Sequence, residues 1–260
     1  MALRGPFHAV SFDFWFTVLY YRPGGDDRWT DDRLRFLGSI LRSRAGKTLE
    51  THDIATAVEA VHSRLRTQGQ EPITVDPQPL VKAYAEFLDA EVTVPLDEAG
   101  RAYSSAGLLE HPPLVNPEAT GVIRTLNARN VPVIAITNTA RREASWQEFL
   151  RSRAGLSFRH IVTSCEVGWC KPHPEIFAEA SRRLDLPARE ILHVGDRWEL
   201  DVEGARHAGF GAVLYWGLWP SYPPGEFPET DPRWTDDPNV LHIDRLQELL
   251  EGNLLEERPS

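Results

Sequence analysis

Ala9-Val10-Ser11-Phe12-Asp13 is the stretch that decides how the rest of this chain is read. It is apolar except for one serine and ends on a carboxylate, the pattern of a strand buried on both faces with an acid at its tip. Open α/β sheets put their chemistry at that carboxyl end. Residues 7–13 are therefore predicted as the first strand, with Asp13 at its end and Thr17 four residues on. Similar runs occur at 131–137, leading into Thr137-Asn138, and at 191–194, leading into Gly195-Asp196. His160–Ser164 and Gly211–Tyr215 give two further predicted strands.

Helices are predicted between these strands. Pro117–Ala128 follows Asn116 as a cap with proline at the first helical position. Arg141–Arg153, Pro174–Leu184 and Val202–Ala208 follow, the last closed by Gly209. Alternation of this kind from about residue 113 onward is the signature of an α/β fold, a doubly wound parallel sheet. Residues 20–112 break the rhythm with helical stretches at Asp31–Ala45, Asp53–Thr67 and Pro79–Ala90. They read as a helical domain inserted after the first strand, leaving 1–19 and 113–260 as the main domain. Residues 215–260 are different again, with Trp216, Trp219 and Trp234 among prolines, then a short amphipathic helix at Ile243–Leu250. That tail reads as an irregular arm wrapping the core.

With 260 residues, 42% hydrophobic and 25% charged, the chain has the composition of a globular protein able to bury a sizeable core. A net charge of −10 and the lack of a basic stripe argue against a nucleic-acid surface. Two cysteines, Cys165 and Cys170, argue against a disulfide framework. The opening Met1–Pro6 has no signal-like apolar region, and no apolar run approaches the ~20 residues of a membrane span. The expectation is a cytoplasmic protein acting on a small anionic molecule, with no membrane or nucleic-acid partner.

The polar residues at the strand ends form a coherent set. A carboxylate such as Asp13 can act as a nucleophile, splitting one hard displacement into two steps. On a phosphate it needs a divalent cation and donors around the transferring group. Asp196 completes a site of hard oxygen ligands for Mg²⁺. Thr137 and Asn138 offer hydroxyl and amide donors, and Lys171 a point charge. Asp201, five residues beyond Asp196, is placed to hold a metal water or to fix Lys171. The nine histidines show no zinc-ligand spacing. Arg141 and Arg142 read as exposed helix residues, Trp29 as packing within the insertion, and Cys170 as a packing residue.

The runs Asp13-Phe14-Trp15-Phe16-Thr17-Val18, Ile136-Thr137-Asn138, Gly168-Trp169-Cys170-Lys171-Pro172-His173-Pro174-Glu175-Ile176-Phe177 and Val194-Gly195-Asp196 with Asp201 resemble, in order, the four motifs of the haloacid dehalogenase-like hydrolase superfamily. The resemblance frames the chain apart from its C-terminal tail. It implies a Rossmann-like core, the insertion as a helical cap over the site, and Mg²⁺ held by Asp13, Asp196 and the Trp15 backbone carbonyl. It also implies Asp13, Lys171 and Thr137 as catalytic residues, with Thr137, Asn138, Trp15, Phe16 and Thr17 around the substrate. Trp15 departs from the pattern, because phosphatases of this family carry a second acid there. An indole has no titratable proton to give, and losing a general acid–base group costs ~10²–10⁴-fold in rate. The resemblance therefore implies a Mg²⁺-dependent phosphatase, hampered by Trp15 and suited to a good leaving group such as an acyl phosphate. Dehalogenases also carry an aromatic residue at that position, but they generally lack the acids corresponding to Asp196 and Asp201. A third reading is a catalytically weak member that binds a partner through its cap and arm. Phe16, where the family often has Gly, adds bulk beside the nucleophile.

Overall fold

The structure, a computed structural model, describes residues 6–21, 26–218, 240–251 and 254–255. Strand β1 (Ala9–Phe12) is followed by β2 (Leu19–Tyr20) and then a helical stretch. That stretch comprises α1 (Asp26–Ile40), β3 (Leu41–Ser43), α2 (Thr51–Thr67), α3 (Pro77–Phe87), β4 (Ala90–Val92) and α4 (Leu96–Ser105). The chain returns through β5 (Leu114–Val115), which pairs antiparallel with β2. Strands and helices then alternate: α5 (Pro117–Ala128), β6 (Val133–Thr137), α6 (Glu143–Phe149), β7 (His160–Thr163), α7 (Ser164–Val167), α8 (Pro174–Leu184), β8 (Ile191–Gly195), α9 (Gly204–His207) and β9 (Gly211–Tyr215). The described elements end with β10 (Leu241–Ile243) and α10 (Glu248–Glu251).

Six strands form one parallel sheet in the order β10-β9-β8-β1-β6-β7. The period-2 alternation of the strands sorts their side chains onto two faces. Val10, Phe12, Val133 and Ala135 join one apolar cluster, and Ala9, Ile134 and Ile136 the other. Both faces are covered by helices, which is why the strands read as continuous apolar runs. Helix α5 shows how the covering works. Asn116 Oδ1 accepts from the Glu118 amide at 3.0 Å, Pro117 occupies the first helical position, and Ala119, Val122, Ile123 and Leu126 form its buried stripe. The helical stretch 26–105 has a separate apolar cluster, built from residues between Leu37 and Tyr103.

The topology fixes where chemistry can occur. From β1 the chain runs to β6 and β7 on one side, then returns to β8 and β9 on the other. The carboxyl ends of β1 and β8 therefore flank a crevice, the usual ligand position in such sheets. Asp13 and Asp196 are the residues that immediately follow those two strands.

The parallel core is as predicted, while several boundaries differ. The expected helix 31–45 is α1, ending at Ile40, because Leu41–Ser43 is taken up by antiparallel pairing with Ala90–Val92. The same pairing ends α3 at Phe87 and makes strand of Ala90. Helix 141–153 is shorter, giving way after Phe149 to a π turn at Leu150–Ala154 that Gly155 closes at φ 57°. Most of the expected helix at 202–208 is likewise preceded by a π turn at Trp198–Glu203. Ile243 is not in a helix: Leu241–Ile243 pairs with Val213–Tyr215 and extends the sheet. Trp219 and Trp234, on which the arm was read, lie outside the described residues. Among those described, no helix is long and apolar enough to cross a membrane.

Candidate active site

Three loops at the carboxyl end of the sheet bring Asp13, Lys171, Asp196 and Asp201 together, all at most 6% exposed. Asp13 continues the edge of β1, its amide donating to the Val194 carbonyl at 2.8 Å. Lys171 Nζ donates to Asp13 Oδ1 and to Asp201 Oδ1, each at 2.5 Å. Ligand oxygens of Asp13, Asp196 and Asp201 all lie within 4.8 Å of one another. Two of the three buried carboxylates thus bond one ammonium group.

The charge balance sets the electrostatics. Burial pushes the Asp13 carboxyl up to about 6, with Lys171 opposing the rise and Asp201 adding to it. Burial, then Asp13, then Asp201 push Asp196 well above the usual carboxylate range. Burial alone would also raise Asp201, but Lys171 and a hydrogen bond from His193 hold it below its ordinary value. For Lys171, burial works against the charge and the two carboxylates more than offset it, so the ammonium form is retained.

Each of the central groups is fixed by others. Asp201 Oδ1 takes Lys171 and His193 Nε2, the latter at 3.2 Å, while Oδ2 accepts from the Arg197 amide at 3.0 Å. His193 Nδ1 lies 2.9 Å from Ser11 Oγ on the neighbouring strand, where the two residues are register partners. Burial keeps this imidazole neutral, so Nε2 carries the proton toward Asp201 and Nδ1 accepts from Ser11. Asn138 grips the main chain of Lys171 from both sides. Its Oδ1 accepts from the Lys171 amide at 2.7 Å, and its Nδ2 donates to the Lys171 carbonyl at 3.1 Å.

Several residues predicted to contact substrate have other roles or settings. The Asn138 side chain orients Lys171. Asp201, expected to serve the metal or Lys171, has its oxygens engaged by Lys171, His193 and the Arg197 amide. Thr137, at the end of β6, is fully buried, and its hydroxyl has no hydrogen-bond partner among the described residues. Thr17 is also fully buried, and its carbonyl accepts from Asn116 Nδ2 at 2.9 Å. Phe16 sits at φ 56°, the left-handed region that favours glycine, and packs against one core cluster. The Trp15 indole stacks on Tyr21 with centroids 4.7 Å apart and meets the edges of Trp29 and Trp146 at 5.7 and 5.8 Å.

Three expectations are corrected here. Arg141 is 1% exposed, not a surface residue: its guanidinium donates to the Ser104 and Ala106 carbonyls and lies 4.3 Å over the Trp29 ring. Arg142 is a partly buried tie, bonding both Asp76 oxygens at 2.8 and 2.5 Å. Trp29 belongs with Trp15 and Trp146 rather than with the apolar cluster of residues 37–103. Ser11 and His193 were missed, although each is a polar residue inside an otherwise apolar strand run, which is the signal that identifies them.

Gly195 makes the arrangement possible. A Cβ there would lie 2.2 Å from Asp201 Cγ and 2.5 Å from its Oδ2. Gly195→Ala is therefore expected to displace Asp201, release Lys171, and lower stability by about 1–3 kcal/mol in urea unfolding. Turnover should fall at least tenfold in the same variant. Unchanged stability and turnover would mean that Asp201 does not fix Lys171.

The family described as haloacid dehalogenase-like hydrolase matches residues 8–209. The glyceraldehyde 3-phosphate phosphatase of Methanopyrus kandleri is 37% identical over 106 residues, 41% of this chain and 42% of that protein. The phosphoserine phosphatase of Thermus thermophilus is 30% identical over 161 residues, 61% of this chain and 63% of that protein. The chain thus matches less than two thirds of either relative. A 2-haloacid dehalogenase from Pseudomonas syringae superposes with a TM-score of 0.57 at 19% identity, over 96% of this chain and 97% of that one. At such identity the likeness is one of fold.

Proposed function

This chain belongs to the haloacid dehalogenase-like hydrolases, and from that premise we propose that it is a Mg²⁺-dependent phosphatase of a small phosphorylated metabolite. The observation that carries the proposal is the clustering of three buried carboxylates, Asp13, Asp196 and Asp201, beside Lys171. Without a metal such a site repels an anionic substrate. The donors are all hard oxygens, which fits Mg²⁺. Asp13 and Asp196, with the Trp15 carbonyl, would hold the ion. When bound it would neutralise charge on the transferring phosphoryl group. A dehalogenase acting without metal gives Asp196 no part in the chemistry.

In the proposed reaction an Asp13 oxygen attacks phosphorus and the bond to the leaving oxygen breaks, giving an aspartyl phosphate. Water then attacks that phosphorus, releasing phosphate and regenerating Asp13. Lys171 orients Asp13 and offsets the charge of the transferring group, while the Thr137 hydroxyl donates to one of its oxygens. Asn138, Asp201, His193 and Ser11 hold Lys171 in position. Trp15 cannot protonate the leaving oxygen, which favours leaving groups that need no proton. Residues 20–112 would act as the cap: their tie through Asp76 and Arg142 joins the stretch to the loop after β6.

The test is phosphate release from acetyl phosphate and p-nitrophenyl phosphate, with Mg²⁺, for the native chain and Trp15→Asp. The variant is expected to gain about 10²-fold on p-nitrophenyl phosphate, where both steps lack the acid–base group, and to gain on acetyl phosphate through faster hydrolysis of the covalent intermediate. No gain on either substrate would remove the missing acid from the explanation.

The burial of Asp13 predicts a pH effect in metal-free protein. A carboxyl raised from 3.8 to about 6 contributes stability below the lower value and loses it as pH rises toward the higher. Asp13→Asn should therefore melt progressively higher than the native chain as pH rises from about 4 to about 6. Added Mg²⁺ should close that gap. A gap that stays constant with pH would contradict the assignment of strain to Asp13.

A further inference from the structure

A cavity of about 580 Å³ opens between the α2–α3 connection and the loop that carries Lys171, lined by Gly69, Gln70, Glu71, Trp169, Cys170 and His173 among others. That volume is in the range of small-molecule pockets. We propose that this cavity receives a neutral planar ring on the non-reacting part of the substrate, stacked against Trp169. The proposal rests on the phosphatase reading above and names the substrate class for it: phosphorylated compounds bearing an aromatic or heteroaromatic body.

Trp169 is the reason. Its side chain is 49% exposed and lines the cavity, so its apolar ring is open to a ligand there. One face of its indole is already occupied: His173 stacks on it with centroids 3.8 Å apart and planes 12° off parallel. His173 is itself oriented, because its Nδ1 accepts from the Glu175 amide at 3.3 Å as the cap of α8. The pair forms a braced aromatic platform, and offset stacking is the geometry such platforms favour. Glycines at 69 and 168 leave the space around it clear of side chains. Glu71 is the one formally charged residue among those lining the cavity, so a second anionic group is disfavoured there. Glu71 and Gln70 instead offer hydrogen bonds to a ring edge. Cys170 and Pro172 line the cavity, and Lys171 between them in the chain bonds Asp13, so the cavity lies on the loop that carries this lysine.

The test uses non-hydrolysable phosphonates in the presence of Mg²⁺, measured by titration calorimetry on the full chain. Methyl-, benzyl- and 2-phenylethylphosphonate are compared in the native chain, Trp169→Phe and Trp169→Ala. At least one aryl compound is expected to bind ten or more times tighter than methylphosphonate. Trp169→Ala should abolish that advantage and leave methylphosphonate unchanged, while Trp169→Phe keeps most of it. Methylphosphonate binding with no aryl advantage, or an aryl advantage untouched by Trp169→Ala, overturns the ring site and leaves the phosphatase reading intact. Failure of all three phosphonates to bind removes both.

Discussion

Asp13→Asn is expected to lower turnover by about 10⁴-fold or more while leaving the fold intact. The amide is isosteric with the carboxyl group, and its oxygen can still accept from Lys171. It is too weak a nucleophile to form the covalent intermediate. Folding should not suffer, because the ionised Asp13 sits against its own burial and against Asp201. A melting curve no lower than the native one, in an inactive variant, is what separates lost chemistry from lost structure. Phosphate release under saturating substrate and Mg²⁺ checks the prediction, and a loss smaller than tenfold would exclude Asp13 as the nucleophile.

Lys171→Met has the second largest expected effect, and it acts on both stability and rate. The ammonium group bonds both Asp13 and Asp201. Removing it leaves Asp13 and Asp201 buried without their cation. Breaking a buried pair in this one-sided way costs about 3–5 kcal/mol. Turnover should fall by about 10²–10³-fold, the range for losing a group that stabilises developing charge. Lys171→Met combined with Asp201→Asn removes one of the stranded charges and should recover part of the stability without recovering rate. Urea unfolding and kcat measured on the same preparations distinguish the two effects. Equal stability of the single and double variants would show that Asp201 and Lys171 are not coupled.

The parts of the fold that were legible in the sequence are those where local pattern and tertiary environment agree. Strands β1, β6 and β8 are buried on both faces, so their apolar runs announce them, and the acid or hydroxyl at each tip announces the site. Helices α5 and α8 have a cap residue, a proline at the first position and an apolar stripe. The short antiparallel pairs were not legible: Leu41–Ser43 and Ala90–Val92 are three residues each, and nothing local in Leu-Arg-Ser signals a partner so far along the chain. Leu241–Ile243 is similar, a strand only because β9 offers an edge. The burial of Arg141 was hidden for the same reason, since its partners are carbonyls of residues 104 and 106 and the face of Trp29. Asn138 was legible as a site residue but not in its role, because only the folded chain shows its amide gripping Lys171.

Trp15 makes the covalent intermediate the most direct object to measure. A site that can form an aspartyl phosphate but has no side chain at that position to activate water should hydrolyse it slowly. Acid-quenched mass spectrometry of the chain during turnover of acetyl phosphate with Mg²⁺ should therefore find one phosphoryl group, located on Asp13. The signal should vanish in Asp13→Asn and when Mg²⁺ is withheld, and should diminish in Trp15→Asp. Absence of any phosphoryl adduct, together with chloride release from L-2-chloropropionate without metal, would contradict the phosphatase assignment and make the chain a dehalogenase.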